Sequence, residues 1–169
     1  PSVLSRNSSR QILLHHTDPN VTLNHLSHPL KIPSKKEHFA ARKTISILIP
    51  TYNEEEALSI LLERLKNLKA RLAPYHLDIL FVDDGSSDRT RDLIQRAASR
   101  ELNISYVFLS RNFGKEAALL AGMDKAKGDA VVILDADLQD PPELIPEMIR
   151  RWEGGAQDVY AQRRSRSGE

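Results

Sequence analysis

Three carboxylates fall within six residues in the stretch VVILDADLQDPPELI (131–145): Asp135, Asp137 and Asp140. They follow Val131, Val132, Ile133 and Leu134, an apolar run that reads as a buried strand. Carboxylates at such a strand end repel one another and resist losing water unless a cation or hydrogen-bond donors compensate. Alternation along an extended chain points Asp135 and Asp137 to one side, with Gln139 next on that side. Two carboxylates and an amide oxygen are hard ligands that suit Mg2+ or Mn2+, and such sites keep positions for water and phosphate. The cluster therefore reads as a metal–diphosphate site. Helix capping is the plainer alternative: Asp140 precedes Pro141, with Glu143 three residues after it. Capping explains Asp140 and leaves the other two unexplained.

A second acidic strand end is FVDDGSSD (81–88), where a turn at Gly85 and a cap at a serine or Asp88 leave Asp83 and Asp84 over. Side chains of this kind accept hydrogen bonds from ligand N–H groups such as a uracil imide or a guanine edge. In PTYNEE (50–55), Tyr52 is either a stacking surface for a base or a half-buried aromatic. Arg163, Arg164 and Arg166 are either a solvated tail or a phosphate clamp. His76 reads as a surface residue before a strand. Neither a G-x-G-x-x-G nor a G-x-x-x-x-G-K-[ST] motif occurs, so the common dinucleotide and P-loop readings lack their signature.

The elements that must position these residues alternate. Apolar runs predict strands at 44–50, 77–84, 104–110, 129–137 and 156–162. Between them, helical patterns cover 53–72, 86–102, 114–128 and a stretch after Asp140. Leu58, Leu61, Leu62, Leu65, Leu68 and Leu72 share one face of the first helix; Leu144, Ile145, Met148, Ile149 and Trp152 form the stripe of the last. Such alternation predicts an α/β fold, a largely parallel, Rossmann-like sheet with helices on both faces. Ligands bind beyond the carboxyl ends of strands in these sheets. PTYNE, DDGSSD, SRNFGK and DADLQD all stand at such ends.

The 169 residues suffice for one domain, with 40% hydrophobic and 28% charged residues. A net charge of +1 points to no nucleic-acid partner, and the absence of cysteine excludes disulfides and thiolate metal sites. No apolar run approaches the about 18 residues needed to cross a bilayer, which predicts a soluble chain. Residues 1–43 are read apart from 44–169: seven Lys/Arg against Asp18 and Glu37, five histidines (His15, His16, His25, His28, His38) and no sustained period. They predict a basic extension, mobile or loosely packed, with a histidine metal site as the sharper alternative. Pro1 at the start and RRSRSGE at the end read as the limits of a fragment.

IPTYNEE, VDDGSSDRT, SRNFGKEAALLAG and DADLQDPPELI, in this order, resemble family 2 glycosyltransferases of the GT-A fold over about residues 44–166. Within that family the likeness is to polyprenyl-phosphate sugar transferases, the bactoprenol glucosyltransferases above all, with the aminoarabinose transferases and dolichol-phosphate mannose synthases beside them. The resemblance implies that Asp135-Ala136-Asp137 is the D-x-D motif that binds Mg2+ or Mn2+, with Asp137 catalytic through the metal and Gln139 a further ligand. It implies that Pro50, Tyr52, Glu54, Val82 and Asp84 line the nucleotide pocket, Asp84 facing the base, and that Arg163 reaches the donor's phosphates. The implied reaction is inverting transfer of a hexose, glucose from UDP-glucose first, to polyprenyl phosphate at the cytoplasmic face of a membrane. Membrane contact would come through segments beyond residue 169. A homo-oligomer is left open, and the 169 residues alone are expected to bind donor and metal without transferring sugar. A saccharide hydroxyl as acceptor is the alternative within the fold. A receiver-like Mg2+-binding signalling domain is the alternative outside the family; it would place an acidic pair after the first strand rather than the second.

Overall fold

A computed structural model of the chain describes residues 10–13, 21–24, 42–101 and 103–163. Seven strands form one sheet: β1 (Arg10–Leu13), β2 (Val21–Asn24), β3 (Thr44–Thr51), β4 (His76–Asp83), β5 (Ile104–Phe108), β6 (Ala130–Ile133) and β7 (Val159–Arg163). The helices are α1 (Glu55–Arg71), α2 (Thr90–Arg100), α3 (Lys115–Lys125) and α4 (Ile145–Glu153), the last preceded by a 3-10 turn at Pro142–Leu144. The strand order is β2-β7-β1-β6-β3-β4-β5, and every pair is parallel except β2 with β7. The expected α/β architecture is what forms.

Two strands, β1 and β2, fall inside the segment 1–43 that showed no period. β1 pairs with β6 and β7, and β2 closes one edge. The five histidines of that segment lie outside the described residues, as do Arg164 and Arg166.

β3 sits between β4 and β6, and alternation divides its side chains between two cores. Ile45, Ile47 and Ile49 face Leu58, Leu61, Leu65 and Leu68 of α1, Ile94 of α2, and Ile145, Met148, Ile149 and Trp152 of α4. Leu48 faces the other way, with Leu80, Val82, Val131, Ile133 and Ala118 of α3. Burying each leucine of the α1 stripe contributes about 2 kcal/mol, so helix and sheet hold each other in place. Gly122 lets α3 lie close on the sheet, since a Cβ there would collide with the side chain of Leu48.

The structure corrects two expectations about local geometry. The fourth strand ends at Ile133 rather than running on to Asp137; one further bond, from Leu134 N–H to Leu48 C=O, closes the pairing before the chain turns. Asp140 does not cap the following helix: the turn starts at Pro142, flanked by Pro141, with no side-chain cap. Pro142 carries no N–H, so of the two donors that a cap at Asp140 would serve, at positions 142 and 143, the first is missing.

Gly85 follows β4 at φ +81, and a Cβ there would run into the backbone of Arg111 and Asn112. The loops after β4 and β5 thus touch backbone to backbone. Gly85→Ala is expected to destabilise the protein by about 2 kcal/mol or more, from left-handed strain plus the displaced loop. Urea unfolding of the two proteins measures this; an unchanged midpoint would contradict the contact.

Candidate active site

The loop after β4 divides the DD pair by alternation. Asp83, fully buried, accepts bonds from Arg91 Nε at 2.5 Å and Ser86 N–H at 3.1 Å, and a further one from Ser86 Oγ. Arg91 also donates to the Leu109 carbonyl at 2.5 Å and lies over the ring of Phe108. Asp83 is therefore committed to joining β4, α2 and the end of β5. The sequence pairs it with Asp84 as a ligand acceptor, and these bonds take it out of that role. Asp84 instead accepts from the N–H groups of Phe113 and Gly114, each at 2.8 Å. That pair of bonds holds the β5–α3 loop against the end of β4.

The loop after β3 is held by the same chemistry. Asn53, at φ 54, accepts from Ser87 N–H at 2.8 Å and donates its own N–H to Ser86 Oγ at 2.9 Å. Asp88 accepts from Thr90 N–H at 2.9 Å and Glu55 N–H at 3.1 Å, serving the first turns of α2 and α1 at once. Burial works against its charge, but the donors of Thr90 and Glu55 prevail and hold it below the ordinary aspartate range. Glu54 N–H donates to Thr90 Oγ1 at 2.8 Å.

These tied loops and the chain after β6 enclose a cavity of about 230 Å³. Pro50, Tyr52, Glu54, Asp84, Asp135, Ala136 and Asp137 line it, so residues from the ends of three strands that the sequence singled out do meet. Thr51, Asn112, Gly114, Lys115 and Ala118 complete the wall. SRNFGK stands at a strand end in the sequence, where none of its residues has an evident role. A basic residue at the start of a helix, on the crevice edge of the sheet, was the signal available. Val82 does not reach the wall: it is buried beneath α3. Gln139 is exposed and outside the lining as well. Its expected alternation with Asp137 fails because the chain has left the strand. Asp137 Oδ1 accepts from Gln139 N–H at 2.9 Å, and Leu138 between them takes φ 62. A leucine in that left-handed region costs about 1–2 kcal/mol, which packing and the turn bond must offset. Arg163 ends β7, and its side chain lies outside the described residues.

The cavity is strongly negative. Glu54, Asp84, Asp135 and Asp137 line it against one lysine, Lys115. Lys115 Nζ donates to Asp135 Oδ2 at 2.6 Å, while Asp135 Oδ1 is buried with no hydrogen-bond partner among the described residues. A buried carboxylate oxygen in that state is costly until a donor or cation reaches it. Burial first, then the charges of Asp137, Asp135 and Asp88, push the Glu54 carboxyl above its ordinary value. Among the described residues, no three His, Cys, Asp or Glu side chains lie close enough to form a metal cage. One or two carboxylates with the remainder from water and ligand phosphate is the usual arrangement for Mg2+, and the Asp135–Asp137 pair fits it.

Residues 46–169 match the Glycosyl transferase family 2 domain, and the chain belongs to that family. It is 44% identical over 123 residues to a bactoprenol glucosyl transferase of Shigella phage SfV, covering 73% of this chain and 40% of the phage protein. It is 43% identical over 128 residues to an undecaprenyl-phosphate 4-deoxy-4-formamido-L-arabinose transferase of Photorhabdus laumondii, covering 75% and 39%. The chain thus spans about 40% of the length of these curated relatives. Among solved structures, the mannosyltransferase PcManGT of Pyrobaculum calidifontis, in complex with GDP-Man and Mn2+, superposes with a TM-score of 0.54 at 26% identity. That match covers 66% of this chain and 32% of the other. TarS of S. aureus shares the fold, with a TM-score of 0.53 at 24% identity over 65% of this chain and 32% of the other. The fold is GT-A, and family membership sets aside the receiver-like alternative.

The raised Glu54 carboxyl yields a stability prediction. Its charged form is disfavoured in the fold, so Glu54 lowers stability at pH above its folded value, and the cost vanishes below the ordinary 4.5. Glu54→Gln is expected to stabilise the ligand-free protein at neutral and alkaline pH, with the gain fading as pH falls into the ordinary glutamate range. Denaturant midpoints across pH measure this; a gain independent of pH would contradict the electrostatic cause.

Proposed function

We propose that this chain is the donor- and metal-binding part of an inverting glycosyltransferase that moves a hexose from a nucleotide sugar to polyprenyl phosphate, UDP-glucose being the favoured donor. The observation that carries the reading is the convergence of the Asp135–Asp137 pair, Tyr52 and Asp84 on one cavity at the carboxyl ends of the strands. The phage relative's name supports glucose and bactoprenol, the Photorhabdus relative's name supports an undecaprenyl-phosphate acceptor, and the mannosyltransferase complex supports a nucleotide sugar with Mn2+.

Tyr52 is 46% exposed on the cavity wall and offers a face for the base. Asp84 keeps lone pairs free after its two bonds to the β5–α3 loop, and these can accept from a base imide. Asp135 and Asp137 hold the divalent cation, Mg2+ or Mn2+, with Gln139 available from the adjoining turn. When bound, that cation supplies Lewis-acid stabilisation to the departing nucleoside diphosphate. Ala136, buried between the two aspartates, leaves room for the ligand, and Arg163 is assigned to the donor's phosphates. A phosphate monoester titrates near about pH 6 and is mostly dianionic at neutral pH, so this acceptor attacks the anomeric carbon without a general base. At about 230 Å³ the cavity is smaller than the roughly 300–1,000 Å³ of drug-sized ligand sites, so it encloses one end of the donor. Membrane contact, at the cytoplasmic face, is assigned to other parts of the full protein; among the described residues no helix is long and apolar enough to cross a membrane.

Calorimetric titration with UDP, UDP-glucose and GDP-mannose, each with Mn2+ or with chelator, tests the proposal. Metal-dependent binding of the uridine ligands is expected, weakened at least tenfold by Asp137→Ala. Preference for GDP-mannose would move the donor assignment to the mannose synthases. Binding indifferent to both metal and Asp137 would overturn the site.

A further inference from the structure

Resting on that reading, the geometry points to Lys115 as a positioning residue that couples the two ligands: it holds the metal position while the site is empty and serves the diphosphate once the metal is in place. Three observations carry this. Lys115 is the one basic side chain among the described residues lining the cavity, facing Glu54, Asp84, Asp135 and Asp137. Its ammonium is bonded to Asp135 Oδ2 at 2.6 Å, on one of the two carboxylates assigned to the cation. The other oxygen of that carboxylate is buried with no hydrogen-bond partner among the described residues, so Lys115 satisfies Asp135 only in part.

Two cations cannot share one carboxylate cheaply, because like charges a few ångströms apart repel strongly in a partly buried site. A divalent ion arriving alone must therefore displace Lys115 and leave its ammonium beside a second positive charge. A divalent ion arriving with a diphosphate meets a different balance. The lysine is half-exposed on a flexible stem, and the phosphate oxygens offer it a new partner. Lys115 is also the first residue of α3, after Gly114, where the positive end of the helix favours an anion. The same side chain thus opposes metal alone and favours metal with diphosphate. Binding of each ligand then strengthens binding of the other, by equal factors.

A merely structural lysine would not move the two affinities in opposite directions, and that is the test. Lys115→Met, with Lys115→Gln as a second neutral replacement, is compared with wild type by two measurements. The first is Mn2+ binding without nucleotide, read from the paramagnetic resonance signal of free Mn2+. The second is UDP binding at saturating Mn2+, read by calorimetry. Neutral replacement is expected to tighten Mn2+ alone and weaken UDP, each by about tenfold, while Lys115→Arg stays near wild type in both. Unchanged or weaker Mn2+ binding in both neutral variants, with melting transitions intact, would overturn the role of Lys115. Failure of wild type to bind UDP with Mn2+ would instead count against the functional reading itself, and the Mn2+ measurement would still report on Lys115.

Discussion

Acidic side chains gathered at the ends of buried parallel strands must each find a positive partner, and that constraint shapes every loop around the cavity. Asp83 takes Arg91, Asp84 takes two backbone N–H groups, and Asp88 takes the first turns of two helices. Asp135 takes Lys115, and its other oxygen has no partner among the described residues. The sequence of partners runs from fully internal to incomplete as the chain approaches the cavity. Asp83 and Asp88, satisfied away from the cavity, build the scaffold; Asp84 does both jobs, bonding the β5–α3 loop while lining the cavity, and Asp135, left short of a partner, is open to a cation.

The sheet makes this possible. Parallel pairing of β3 with both β4 and β6 brings the carboxyl ends of the strands to one edge, and the two cores fix the helices that start there. The bonds joining the β3, β4 and β5 loops to one another mean that no wall of the cavity stands alone. Rigid elements carrying short, mutually bonded loops hold polar groups at fixed spacing, which catalysis by electrostatic stabilisation requires. The strained Leu138 sits in the same region, between Asp137 and Gln139. Its packing against the main core offsets the cost of a turn that leaves Asp137 at the cavity.

The architecture was legible from sequence where apolar runs were long and bounded. β3, β4 and β6 announce themselves by β-branched residues, and α1 by its leucine stripe. β1 and β2 were not legible, because four-residue strands in a polar segment carry no period, and their pairing comes from β6 and β7. The site was legible as a set of strand ends and as most of the side chains that line the cavity; Val82, Gln139 and Lys115 are among the places where the sequence and the lining part. Which aspartate of the DD pair faces the ligand depends on the last residue of β4, and whether Gln139 follows Asp137 depends on where β6 stops pairing. Asp140 showed the limit of a capping signature, since Pro142 removes one of the two donors it would serve and the α-helix starts only at Ile145. Lys115 is not legible in the sequence because its meaning comes from Asp135, twenty residues away in the chain and outside its helix.

The central claim is that the strand-end carboxylates form one site for a divalent cation and a nucleotide's diphosphate. Paramagnetic broadening of backbone amide signals by Mn2+ in the presence of UDP tests it most directly, because the effect falls steeply with distance from the ion. The account predicts broadening confined to the Thr51–Glu54, Asp84–Gly85, Asn112–Lys115 and Leu134–Gln139 segments, with α4 and the amino ends of the strands unaffected. Broadening centred elsewhere, or spread evenly over the surface, would contradict it.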